Sequence, residues 1–189
     1  MFWLRWLWHL CMSVLHHGSN LYSVLNALYQ LHPQKTALII DQQHIDHATL
    51  KSVTDQYIIH WTQHPIANRQ VALLLSQDLQ GIAALFALSR LGKAVIIVNP
   101  QLIQHKLDAL IQQQQLFLVG TQSVLNRLQC SPSDCAIIPK ADQHSASPRT
   151  FALKASWFNL ISVCSSGSTG IPKIASRKSK PWQALPLLN

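Results

Sequence analysis

Ser165-Ser166-Gly167-Ser168-Thr169-Gly170-Ile171-Pro172-Lys173 packs four hydroxyls, two glycines and one lysine into nine residues. An apolar run, Leu160-Ile161-Ser162-Val163-Cys164, precedes it and reads as a buried strand. Small side chains leave backbone N–H groups open to an anion. The hydroxyls add donors, and the lysine adds a point charge suited to phosphate. The stretch therefore reads as a phosphate-gripping loop at the carboxyl end of a strand. An ordinary Ser/Gly linker has the same composition. A linker, however, has no need of a buried strand before it or a Pro-Lys pair after it.

The spacing excludes a Walker A loop, which needs Gly, four residues, then Gly-Lys-Ser/Thr opening a helix. Here Gly167 and Gly170 are three apart, and Lys173 follows a proline. Pro172 lacks an N–H and pushes Ile171 out of the helical region. Lys173 is therefore expected on an extended loop. A serine hydrolase is disfavoured as well, because Gly167 runs directly into Ser168 and no G-x-S-x-G elbow exists.

Upstream, apolar spacing alternates between two periods. Leu21, Val24, Leu25, Leu28 and Leu31 share one helix face, and His32-Pro33 ends that helix. Thr36 to Ile40 reads as a strand, residues 41–44 as a turn, and Ile45 as the start of a short return strand. Thr49 to His64 reads as a helix with Leu50, Val53, Tyr57 and Trp61 on one face. Arg69 to Leu75 is a strand buried on both faces, by its continuous apolar run. Asp78 to Leu91 is a helix, and Gly92 suits its left-handed C-terminal cap. Strands follow at Ala94–Val98, Leu116–Val119, Cys135–Ile138 and Leu160–Cys164, with helices at Leu102–Gln115 and Thr121–Leu128. Lys140 to Thr150 reads as an exposed polar loop. The alternation predicts an α/β fold: a parallel or mixed sheet with helices on both faces. In such sheets ligands bind beyond the carboxyl ends of strands, where the Ser165–Lys173 loop falls.

At Ser166-Gly167-Ser168-Thr169-Gly170-Ile171-Pro172-Lys173 the sequence resembles the signature loop of the adenylate-forming superfamily, which includes acyl-CoA synthetases, peptide-synthetase adenylation domains and luciferases. The usual pattern, Ser-Gly-Ser/Thr-Thr-Gly-x-Pro-Lys-Gly, is broken only at Ile174. Thr36-Ala37-Leu38-Ile39 with Ala48-Thr49-Leu50, then Val71–Leu75, Ser89-Arg90-Leu91-Gly92-Lys93-Ala94 and Val98-Asn99-Pro100, look like the family's opening elements in order. The likeness spans about residues 20 to 178. It implies the amino-terminal portion of an adenylate-forming synthetase large domain, with residues 1–19 as an apolar leader helix, 20–178 as a partial AMP-binding domain and 179–189 as a tail.

The resemblance also implies chemistry. A carboxylic acid would be activated with ATP and Mg²⁺ as an acyl-adenylate, then passed to the thiol of coenzyme A or a carrier-protein pantetheine. Ser165, Ser166, Gly167, Ser168, Thr169, Gly170 and Lys173 would hold the ATP phosphates. The family's adenine pocket, acyl pocket, magnesium-binding glutamate, ribose-binding aspartate and carboxy-terminal catalytic lysine all come later. No catalytic residue and no metal ligand is therefore carried onto this chain. The expectation is a truncated synthetase, incomplete alone and completed by a second polypeptide. Buried strands of a sheet cut here need cover, which favours aggregation or such a partner. A non-catalytic phosphate-binding module is the alternative.

Composition sets further bounds. The chain has 189 residues, is 48% hydrophobic, and carries a formal charge of +8 because Asp and Glu total only seven. That charge permits nucleic-acid or anionic-membrane contact. Lys and Arg are nevertheless scattered until Lys173, and only Trp182 accompanies the basic residues Arg177, Lys178 and Lys180, too few aromatics for base stacking. His60 and His64 have metal-ligand spacing but no obvious third partner. Cys11, Cys130, Cys135 and Cys164 form no CxxC pair and read as free thiols of a cytoplasmic protein. Phe2 to Leu15 is strongly apolar, with Trp3, Trp6 and Trp8, yet shorter than the ~20 residues that span a bilayer. It reads as a docking helix or, more sharply, as a Trp-rich helix that makes residues 1–17 peripheral to a membrane surface.

Overall fold

The computed structural model describes residues 2–66, 70–101, 116–128, 135–140, 161–166 and 172–177. Two helices open the chain, α1 (Phe2–His17) and α2 (Leu21–Leu31). A hairpin of β1 (Thr36–Ile40) and β2 (Gln43–Asp46) follows, then α3 (His47–Gln63). The main sheet takes β3 (Gln70–Leu74), β4 (Ala94–Val98), β5 (Phe117–Gly120), β6 (Cys135–Ile137), β7 (Ile161–Ser166) and β8 (Pro172–Arg177). Helices α4 (Leu79–Arg90) and α5 (Gln122–Arg127) accompany it. The expected helix over residues 102–115 and the loop over 141–150 lie outside the described residues.

The strand order is β6-β5-β3-β4-β7-β8. The first five run parallel, and β8 pairs antiparallel to β7. The mixed α/β sheet anticipated from the alternating pattern is thus present. Its two faces separate by the period of a strand. Val71, Leu73, Val95 and Val119 pack with Leu25, Leu50, Val53, Tyr57, Trp61 and Leu88 of the α2–α4 layer. Ala72, Leu74, Ile96, Val98 and Leu118 pack the other way, against Leu125 and Leu128 at α5. In β3, Val71 to Leu74 are at most 1% exposed, which is why that strand reads as one apolar run. Val71, Leu73 and Leu74 each contribute roughly 1.5–3 kcal/mol of burial.

The helix ends follow ordinary capping chemistry. Asp46 caps α3, its Oδ1 accepting from the Thr49 N–H at 2.7 Å, so α3 begins at His47 rather than at Thr49. Asp78 caps α4 in the same way through the Gly81 N–H, also at 2.7 Å. Gly92 adopts φ 74° just past α4, the left-handed position anticipated for it. On α3 the buried face holds Leu50, Val53, Tyr57 and Trp61, as its spacing predicts. The α2 face departs from its spacing. Tyr22 and Leu25 are buried, whereas Val24 is 42% exposed. The cause is that α2 meets α1, α3 and α4, so no single stripe describes its contacts.

Among those helices lies a buried polar cluster. Asp55 accepts from the Tyr22 hydroxyl at 2.8 Å and from Lys51 Nζ at 2.6 Å. Lys51 also sits 5.5 Å from the Tyr22 ring centroid and 5.2 Å from that of Tyr29, within cation–π range. The His17 ring meets Tyr22 edge-on at 5.2 Å. Burial, with Arg90 and Lys51 nearby, lowers the His17 pKa to about 4.

Two predictions follow from these elements. His17 takes up its proton near 6.5 when unfolded but near 4 when folded, so the unfolded chain holds more protons between those values. Stability should therefore fall as the pH drops from about 6.5 to about 4. Replacing His17 with Asn should flatten that part of the profile, read as urea midpoint against pH. The second concerns the β1–β2 turn, where Asp41 (φ 49°) and Gln42 (φ 66°) both occupy the left-handed region. Two-residue turns of this kind favour glycine at the second place. Gln42→Gly should raise unfolding free energy by about 0.5–1 kcal/mol, net of the added chain entropy.

Candidate functional site

The sheet reverses its direction of winding between β3 and β4. From β3 the chain passes to β4 on one side, and from β4 it returns to β5 on the other side of β3. Such a reversal opens a crevice at the carboxyl ends of the two strands. A cavity of about 560 Å³ lies there, lined by residues 75–77 after β3 and 97–101 at the end of β4. Its walls are shaped locally. The Leu75 N–H donates to the Val98 carbonyl at 3.3 Å and extends the β3–β4 ladder. The Gln101 N–H donates to the Asn99 side-chain oxygen at 2.9 Å, tightening the turn at Pro100. Ser76 donates to Asp78 at 2.8 Å, which ties the other wall to the cap of α4.

That cap bears on electrostatics. A helix start ordinarily attracts anions through its free N–H groups. The Asp78 carboxylate already accepts there, so α4 presents a satisfied end beside the cavity. Tyr57, fully buried behind it, has its phenol pKa raised by desolvation and by the nearby Asp78.

The Ser165–Lys173 stretch reaches that edge. Strand β7 runs parallel to β4 with Ile97 opposite Val163, so Ser165 and Ser166 finish on the same side as Ile97 to Pro100. The return strand β8 places Lys173 opposite Ser165 and Pro172 opposite Ser166. Here the structure corrects the expectation of a nine-residue loop. Ser165, Ser166 and Lys173 belong to paired strands, and only residues 167–171 intervene. Pro172 explains the correction. It opens β8, the outermost strand among the described residues, and the first residue of such a strand tolerates a missing N–H. Gly167, Ser168, Thr169 and Gly170 lie outside the described residues. So do Lys178, Lys180 and Trp182, whereas Arg177 ends β8.

Sequence reasoning did not single out the cavity residues. Asn99-Pro100 entered only as part of the family likeness at the end of a strand, and Ser76 carried no motif. The usable signal was the rule that sites gather at strand carboxyl ends, applied to β3 and β4 once they are neighbours. The His60 and His64 rings stack at 4.8 Å, and among the described residues no group of three His, Cys, Asp or Glu is placed to hold an ion.

Comparison with known proteins places this architecture. No protein-family profile matches the chain, and no curated protein matches it. Solved structures do. A Mycobacterium tuberculosis fatty acyl CoA synthetase superposes with TM-score 0.65 at 15% identity, over 84% of this chain and 34% of its own. The Klebsiella oxytoca NpsA N-terminal subdomain, in complex with 3-hydroxybenzoyl-AMSN, gives 0.63 at 18%, over 84% and 41%. The anthranilate CoA ligase AuaEII, in complex with anthranoyl-AMP, gives 0.67 at 17%, over 84% and 33%. The chain therefore has the fold of the amino-terminal portion of adenylate-forming enzymes. It spans 33% to 41% of the length of those three structures.

The cavity wall supplies its own test. A Cβ on Gly81 would stand 2.3 Å from the Ser76 carbonyl oxygen and 2.7 Å from its hydroxyl. Backbone at that distance cannot yield cheaply. Gly81→Ala should therefore cost about 2 kcal/mol or more in urea unfolding, despite alanine's better helix propensity.

Proposed function

We propose that this chain supplies the phosphate-binding part of an AMP-forming acid–thiol ligase. The observation that carries the reading is positional. Ser165 and Ser166 end β7, and Pro172 and Lys173 open β8, at the same strand ends as the cavity beyond β3 and β4. The donor chemistry of residues 165–173 fits a polyphosphate. Gly167 and Gly170 allow close backbone approach, Ser165, Ser166, Ser168 and Thr169 offer hydroxyl donors, and Lys173 offsets negative charge. Ser165 in β7 and Lys173 in β8 lie on paired backbone, which lowers the cost of ordering the segment between them, and positioning lowers the barrier to phosphoryl chemistry.

In the reaction this supports, a carboxylate oxygen attacks the α-phosphorus of ATP, and the bond to the bridging oxygen of pyrophosphate breaks. Pyrophosphate leaves with its magnesium. A thiol, of coenzyme A or carrier-protein pantetheine, then attacks the acyl carbonyl and AMP departs. The role assigned to the hairpin is to hold the β- and γ-phosphates through the first step. The acid, the adenine and the thiol would be handled by a second polypeptide or further chain length, in keeping with the share of the solved structures that this chain spans. A cytoplasmic setting goes with this reading, and neither Cys11 nor Cys135 is in a disulfide.

The test is ATP binding by calorimetry, followed by carboxylate-dependent ATP–pyrophosphate exchange once the completing polypeptide is supplied. Lys173→Ala should weaken ATP binding at least roughly tenfold, the loss of one charge-assisted contact. A Lys173→Ala chain that binds ATP as tightly as the wild type would remove the hairpin from this role. Binding without exchange under every carboxylate tried would favour a phosphate-binding module instead.

A further inference from the structure

Helix α1 has two faces with different fates. One packs on α2: Ser13 is buried and accepts from the Asn26 side-chain amide at 3.2 Å. The other is exposed and apolar. Trp3 (79%), Leu4 (72%), Leu7 (52%), Trp8 (65%) and Leu15 (66%) all face outward. At 100° per residue these positions fall within an arc of about 140°, one continuous stripe rather than scattered exposure. Monomeric soluble proteins rarely leave such a stripe uncovered.

Charge indicates what covers it. Arg5 is exposed beside the stripe, and His16 is exposed at its carboxyl end. No Asp or Glu occurs before Asp41, whereas Arg5, Lys35 and four histidines do. Two copies meeting through this face would bring like charges together, on chains of formal charge +8. An anionic surface would not. The helix has 16 residues, fewer than a bilayer span requires, and among the described residues no helix is long and apolar enough to cross a membrane. Tryptophan rings settle at the headgroup level, and an arginine beside them can reach the phosphates. From the stripe and its charge we propose that the outer face of α1 is a docking surface for an anionic lipid bilayer, with the helix lying in the plane of the interface. The proposal is independent of the reading of the β7–β8 hairpin.

The experiment is vesicle flotation of the full chain with phosphatidylcholine alone and with about 30% phosphatidylserine added. Wild-type chain should float with the anionic vesicles, at least about tenfold more than with the neutral ones, and less at ionic strength of about 0.5 M. Trp3→Glu/Trp8→Glu should stay at the bottom with an unchanged circular dichroism spectrum and melting temperature, because both rings are exposed in the free protein. Arg5→Glu should reduce binding to the anionic vesicles only. A wild type that fails to float with either vesicle, or a double variant that floats like the wild type, would overturn the proposal. A wild-type dimer that the double variant dissociates, with no vesicle binding, would overturn it in favour of a second copy.

Discussion

The parallel pairing of β3 with β4 is the contact on which the rest of the molecule depends. From Gln70↔Ala94 to Leu74↔Val98 the two strands run in register, and Val71, Ala72, Leu73 and Leu74 are all but sealed from solvent. Strands apolar on both faces cannot stand alone in water, so each face must recruit helices. The α2–α4 layer covers one, and α5 helps to cover the other. Connections leave the pair toward opposite sides, and the crevice they open at the carboxyl ends follows from that connectivity rather than from any local motif.

What occupies that edge is divided between two devices. Asp78 satisfies the start of α4 and, through Ser76, fixes one wall of the cavity. The β7–β8 ladder carries Ser165 and Lys173 to the same edge on backbone hydrogen bonds that owe nothing to their side chains. A segment hung from paired strands has much of its ordering entropy met by the fold.

The amino-terminal helices are held by different chemistry. Asp55 gathers Tyr22 and Lys51, and Arg90 is buried close by. A buried ion pair offers modest net stability, because desolvation offsets the attraction, but it punishes misregistered packing. The α1–α2 pair is thereby seated on α3 and α4 at a defined angle, and the Trp-bearing face of α1 is left pointing away from the core.

Most of the element order was written in the sequence. Continuous apolar runs marked β3 and β4, the 3.6 period marked α3 with Leu50, Val53, Tyr57 and Trp61 inward, and Gly92 marked the end of α4, because each is a local consequence of side-chain spacing and backbone freedom. The strand before Ser165 was legible for the same reason, as a short apolar run that forms β7. The tertiary structure alone decided that β5 lies beside β3 and β7 beside β4, that Lys173 stands on a strand across from Ser165, and that Asn99 and Ser76 share a cavity. It also decided that α2 buries Tyr22 while leaving Val24 outside. Those outcomes rest on hydrogen bonds and packing between residues far apart in the chain, and no local period records which distant strand or helix will answer them.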